Sequence, residues 1–110
     1  MISKRIRSIL SPLVALGFSA CAYAEPIWVD VRSRAEHVID HIDGDVRISY
    51  DQILREAGVL WPDKNTEIHL YCRSGTRAAK AMLALQDAGY NNVSNTGSIE
   101  DTRKTRGLKE

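Results

Sequence analysis

The chain has 110 residues, 44 % of them apolar, and a formal charge of +1. That length supports one domain, and the apolar share is enough to bury a core. The basic residues form no stripe and no aromatic platform accompanies them, which argues against nucleic-acid binding.

The first 24 residues read as a secretory signal. Lys4, Arg5 and Arg7 form a charged start without an acid. Leu13 to Ala20 is a short apolar stretch, and Ala22-Tyr23-Ala24 is a small-x-small cleavage site before Glu25-Pro26. The apolar stretch is shorter than the ~20 residues a membrane-spanning helix needs. Phe18-Ser19-Ala20-Cys21 offers an alternative, a lipoprotein signal with Cys21 lipidated. Removing 24 of 110 residues leaves 86, and losing three of fifteen basic residues and none of fourteen acidic ones leaves a charge of −2. The expected product is a periplasmic domain over residues 25–110, with 102–110 as a polar tail. The C-terminal cluster Arg103, Lys104, Arg106 and Lys109 is then most simply a solvated surface, without stable membrane contact.

Strands and helices alternate along the mature chain. Ile27 to Val31 is a short β-rich run. Ser33 can cap a helix, with Glu36 as its capping-box partner. Asp43-Gly44 marks a turn before a short strand near Val46 to Ile48. Tyr50, Ile53, Leu54 and Ala57 have helical spacing, with Gly58 as a stop. Residues 67–72 form a strand, and Thr76 to Ala88 a helix stopped by Gly89. Residues 91–95 form a last strand, followed by a polar end with at most one helical turn. This alternation predicts an α/β fold: a mostly parallel sheet with helices on both faces. In such sheets ligands bind beyond the carboxyl ends of the strands, where Cys72 lies.

Export would remove Cys21 and leave Cys72 as the one thiol in a compartment where paired cysteines become disulfides. A lone cysteine is either an inert buried side chain or a thiol kept for chemistry. The loop around it favours chemistry. Gly75 permits a tight turn, and a helix starting near Thr76 would aim the amides of residues 73 to 77 at one point. Arg73 and Arg77 add positive charge if they face inward. A thiol held there should be largely thiolate and act as a nucleophile on an anionic sulfur donor.

The segment "YCRSGTRA" resembles the active-site loop of rhodanese-type sulfurtransferases. "WVDVRSRAEHVIDHIDGDVRIS" is similar to the family's first signature, and "LQDAGYNNVSNTGSIED" to its third block. Size and leader look most like the phage-shock-type periplasmic single-domain members. The resemblance implies five central parallel strands, a thiosulfate-type donor, a Cys72 persulfide and a thiophilic acceptor such as cyanide or a thiol. It makes Cys72 the catalytic residue, and Arg73, Ser74, Gly75, Thr76 and Arg77 the substrate-binding loop. Asp30, Arg32 and Glu36 become structural support, with Arg32 expected to pair locally with Glu36. No cofactor or metal is implied, and a monomer is expected. His37, Asp40, Asp45 and Ser98 depart from the family pattern, as does the "RIS" ending of the first block, all outside the loop.

Three rivals stand beside this. A phosphatase would need Cys-x5-Arg, but that position is Ala78, and Arg77 comes one residue early. A noncatalytic or slow sulfur-carrying module would use the same fold without turnover. His37 and His41, four apart on a helix, with His69 elsewhere, are the candidates for a metal site. A disulfide oxidoreductase would need Cys-x-x-Cys, which is absent.

Overall fold

The structure, a computed structural model, describes residues 24–109. The proposed leader, including Cys21, lies outside the described residues except for Ala24. Eight elements follow in order: β1 (Ile27–Asp30), α1 (Arg34–Ile39), β2 (Val46–Arg47), α2 (Ile53–Leu60), β3 (Ile68–Cys72), α3 (Thr76–Asp87), β4 (Val93–Ser98) and α4 (Ile99–Thr105). The strands form one sheet in the order β2-β1-β3-β4, with every pairing parallel. The described residues thus hold four strands, not the five that the family resemblance implied. The β-rich runs in the sequence supply only these four, and after β4 the chain turns directly into α4.

Side-chain alternation along β3 sorts the core. Ile68, Leu70 and Cys72 face Val29, Val31, Ile53, Ala57, Ala78, Ala81 and Leu85 in one buried cluster, beneath α2 and α3. Tyr71 points to the other face and packs with Ile42 and with Ile99 of α4. Both faces are covered, as a parallel sheet requires.

The helix ends have specific causes. Ser33 and Glu36 form a reciprocal capping box at the start of α1. α2 passes through Gly58 and ends at Trp61, because the residue before Pro62 is driven out of the helical region. Gly58 is therefore not the stop that its spacing suggested. α3 closes in a Schellman motif: Gly89 has φ +100°, Tyr90 N–H donates to Leu85 O at 3.0 Å, and Gly89 N–H donates to Gln86 O at 2.9 Å.

The C-terminal segment is not a solvated tail. Residues 99–105 form α4, with Thr102 and Arg103 buried. Arg103 donates two hydrogen bonds to Asp40, at 3.0 and 2.7 Å. Arg106 donates to both Asp45 oxygens, at 2.7 and 3.2 Å, and lies over the Trp28 ring at 4.1 Å.

Candidate active site

Strand order reverses between β1 and β3, since the chain fills one side of β1 with β2 and then crosses to the other. The carboxyl ends of these two strands are the switch point at which open α/β sheets bind ligands. The end of β1 carries Asp30, Arg32 and, at the start of α1, Glu36. The end of β3 carries Cys72.

From Cys72 the chain makes a four-residue turn into α3. Gly75 takes φ +96° as the helix N-cap, a conformation that costs an L side chain about 1–2 kcal/mol. Its N–H donates to the Cys72 sulfur at 2.9 Å. Burial pushes the Cys72 thiol up, but the nearby backbone N–H groups of Ala78, Ser74, Gly75 and Arg77 favour its charged form, and the balance lies below the ordinary thiol value. Cys72 itself has 0 % exposure. Arg73, Ser74 and Thr76 are exposed around it, and Gly75 is buried.

Arg77 is held by a carboxylate. Its guanidinium donates to Glu36 Oε1 at 2.7 Å and Oε2 at 2.9 Å, tying the first turn of α3 to α1. This hydrogen bond above all holds the Glu36 carboxyl well below the usual range, at about 2. Glu36 Oε1 also accepts the Ser33 N–H at 3.0 Å. Arg32 does not pair with Glu36 as expected. It takes buried Asp30 instead, with Nε to Oδ1 at 2.9 Å and Nη2 to Oδ2 at 2.8 Å, and Nη2 also donates to the Asp40 carbonyl. The reason is reach: Asp30, two residues earlier, offers both oxygens in the fork geometry a guanidinium prefers, and Arg77 has already filled Glu36. Asp30 and Arg32 therefore brace the floor of the site, and breaking a pair this buried costs about 3–5 kcal/mol.

Sequence reasoning missed two braces of the loop. Asn95 Nδ2 donates to the Gly75 carbonyl at 2.9 Å, and Asn95 Oδ1 accepts the Gly97 N–H at 2.9 Å. A register shift in β4 brings Ser98, not Gly97, opposite Cys72. Gly97, at φ +90°, thereby lies against the loop, and a Cβ on Gly75 would stand 3.4 Å from Gly97 Cα. Gly97 falls in the third block of the resemblance, but nothing in the sequence connects Asn95 to Gly75.

The histidines do not converge. The His37 and His41 rings stack, and His41 bonds to the His37 carbonyl and to Asp43. His69 lies on the sheet between Ser94 and Glu67, stacked on Trp28. Among the described residues no group of three potential ligands is assembled for a metal.

The family profile described as "Rhodanese-like domain" matches residues 19–103. The chain belongs to the rhodanese family. A curated rhodanese relative, "Thiosulfate sulfurtransferase PspE" of Escherichia coli (strain K12), is 31 % identical over 88 residues, covering 80 % of this chain and 85 % of that protein. A "tRNA uridine(34) hydroxylase" of Erwinia tasmaniensis is 33 % identical, but this chain spans only 25 % of its length. Among solved structures, "rhodanese with anions from E. coli" superposes with a TM-score of 0.66 at 28 % identity, covering 70 % of this chain and 91 % of that one. The "Human Single Domain Sulfurtranferase TSTD1" shares the rhodanese fold, with a TM-score of 0.61 at 23 % identity, covering 84 % and 92 %.

Proposed function

We propose that this rhodanese domain is a thiosulfate sulfurtransferase working through a Cys72 persulfide. The observation that carries this is the ring of amides around the Cys72 sulfur, which favours its thiolate despite full burial. The relative named a thiosulfate sulfurtransferase supports the donor, as does the related rhodanese structure described as containing anions.

The Cys72 thiolate attacks the outer sulfur of thiosulfate. The sulfur–sulfur bond of the donor breaks, and sulfite leaves with the electron pair. The new outer sulfur carries negative charge, which preorganised amides stabilise without rearrangement. Cyanide or a thiolate then takes that sulfur and returns the electron pair to Cys72. No general base is needed, because the thiolate is already favoured. Since Cys72 has no exposed surface, loading requires a local opening of the loop, whose exposed rim is Arg73 and Ser74. Of the two candidate anion contacts, Arg73 remains available for the donor, while Arg77 is engaged by Glu36. The same proposal includes export to the periplasm with removal of the leader, leaving Cys72 as the sole thiol.

A thiosulfate:cyanide assay beside hydrolysis of para-nitrophenyl phosphate tests this. Thiocyanate should form with the wild-type domain and fall to background in Cys72→Ser. Phosphate release without thiocyanate would establish the phosphatase instead.

A further inference from the structure

A cavity of about 250 Å³ opens between α1, the Cys72 loop and the start of α4. Ile99, 3 % exposed, forms its floor, and Ile39, 85 % exposed, one wall. Arg32, Glu36 and Asp40 reach its edge, but each is held in one of the ion pairs described above. Two lining charges have no partner among the described residues: Arg73, the residue after Cys72, and Glu100, the second residue of α4. A cation and an anion beside an apolar floor suit a small molecule carrying both charges on a short carbon skeleton. A neutral thiol would leave both charges unused.

We propose that this cavity is the acceptor subsite and selects a small thiol of the amino-acid class, its carboxylate on Arg73 and its ammonium toward Glu100. The inference rests on the sulfur-transfer function proposed above and names the acceptor of its second half-reaction. The acceptor thiol loses its proton to solvent, and its thiolate attacks the outer sulfur of the Cys72 persulfide. The bond between the two sulfurs breaks, and its electron pair stays on Cys72. The product is the persulfide of the amino-acid thiol, and no outside oxidant or reductant enters.

The test begins with protein loaded by thiosulfate, with loading confirmed by intact mass. Discharge is then followed with L-cysteine, with cysteamine (no carboxylate) and with 3-mercaptopropionate (no ammonium). The readout is the ratio of the cysteine rate to the mercaptopropionate rate, compared between proteins so that intrinsic thiol reactivity cancels. Glu100→Gln should lower that ratio by roughly two- to fivefold, the upper range for one solvent-accessible ion pair, and Glu100→Lys should lower it further. A ratio unchanged in both variants, with loading intact, overturns the subsite alone. A wild-type protein that never loads overturns sulfur transfer and, with it, this acceptor.

Discussion

Burial alone would disfavour a charged Cys72, so the state of this one residue depends on where four amides point. Their convergence depends in turn on Gly75 holding φ +96° and on Asn95 gripping its carbonyl. Gly75→Ala should therefore raise the thiolate midpoint toward the ~8.5 of a free thiol, followed by thiolate ultraviolet absorbance against Cys72→Ser. Asn95→Ala should move it less, in the same direction. A midpoint unmoved in both variants would detach the depressed thiol from the loop geometry. Cys72 and Gly75 were legible in the sequence because the turn, the strand end and the helix start are neighbours in the chain. Asn95 was not, because its bond to Gly75 spans 20 residues and an asparagine in a polar run has many ordinary uses. Arg77 was legible as part of the loop but not as the partner of Glu36, since a guanidinium beside a candidate anion site reads first as a ligand.

At the scale of elements, α1 has six residues and buries none of them. It is held by polar ties at its two ends, not by apolar packing. Glu36 is the main tie, because it closes the capping box and grips the first turn of α3. Its carboxyl titrates near 2 when folded, against about 4.3 for an unperturbed glutamate, so the tie stabilises the fold fully above pH ~4.5. That contribution is lost as pH falls toward 2 and Glu36 takes up its proton. Glu36→Gln should cost roughly 1–2 kcal/mol at pH 7, between an exposed pair and a buried one, seen as a Tm lower by about 5–10 °C. The gap to wild type should close as pH falls from ~4.5 toward 2. A gap independent of pH would show that the pair is not the source. Sequence patterning found α1, α2 and α3, took α4 for a polar end, and misplaced two element ends. Gly58 looked like a stop although Pro62 is the real one, and β4 runs to Ser98 because a register shift carries it past the polar stretch that looked like its end.

Across the whole molecule, two oddities of the sequence explain each other. Asp40 and Asp45 depart from the family pattern, and the basic C-terminal cluster had no evident use. Asp40 pairs with Arg103 across 63 residues and Asp45 with Arg106 across 61, docking α4 over the sheet face opposite the Cys72 cluster. Neither half announces the other in the sequence, because ion pairs have no periodicity and only the fold brings their ends together. The alternation of strands and helices did reveal the parallel sheet, and with it the carboxyl end at which open α/β sheets bind ligands. The fifth strand came from resemblance alone, and the described residues do not contain it. The proposed function assigns the switch point of the sheet to holding sulfur on Cys72. Intact-mass measurement of the domain after thiosulfate treatment and desalting tests it most directly. The expected result is a gain of one sulfur atom, roughly 32 Da, removed by cyanide and absent in Cys72→Ser. No gain in the wild type, or an equal gain in Cys72→Ser, would contradict it.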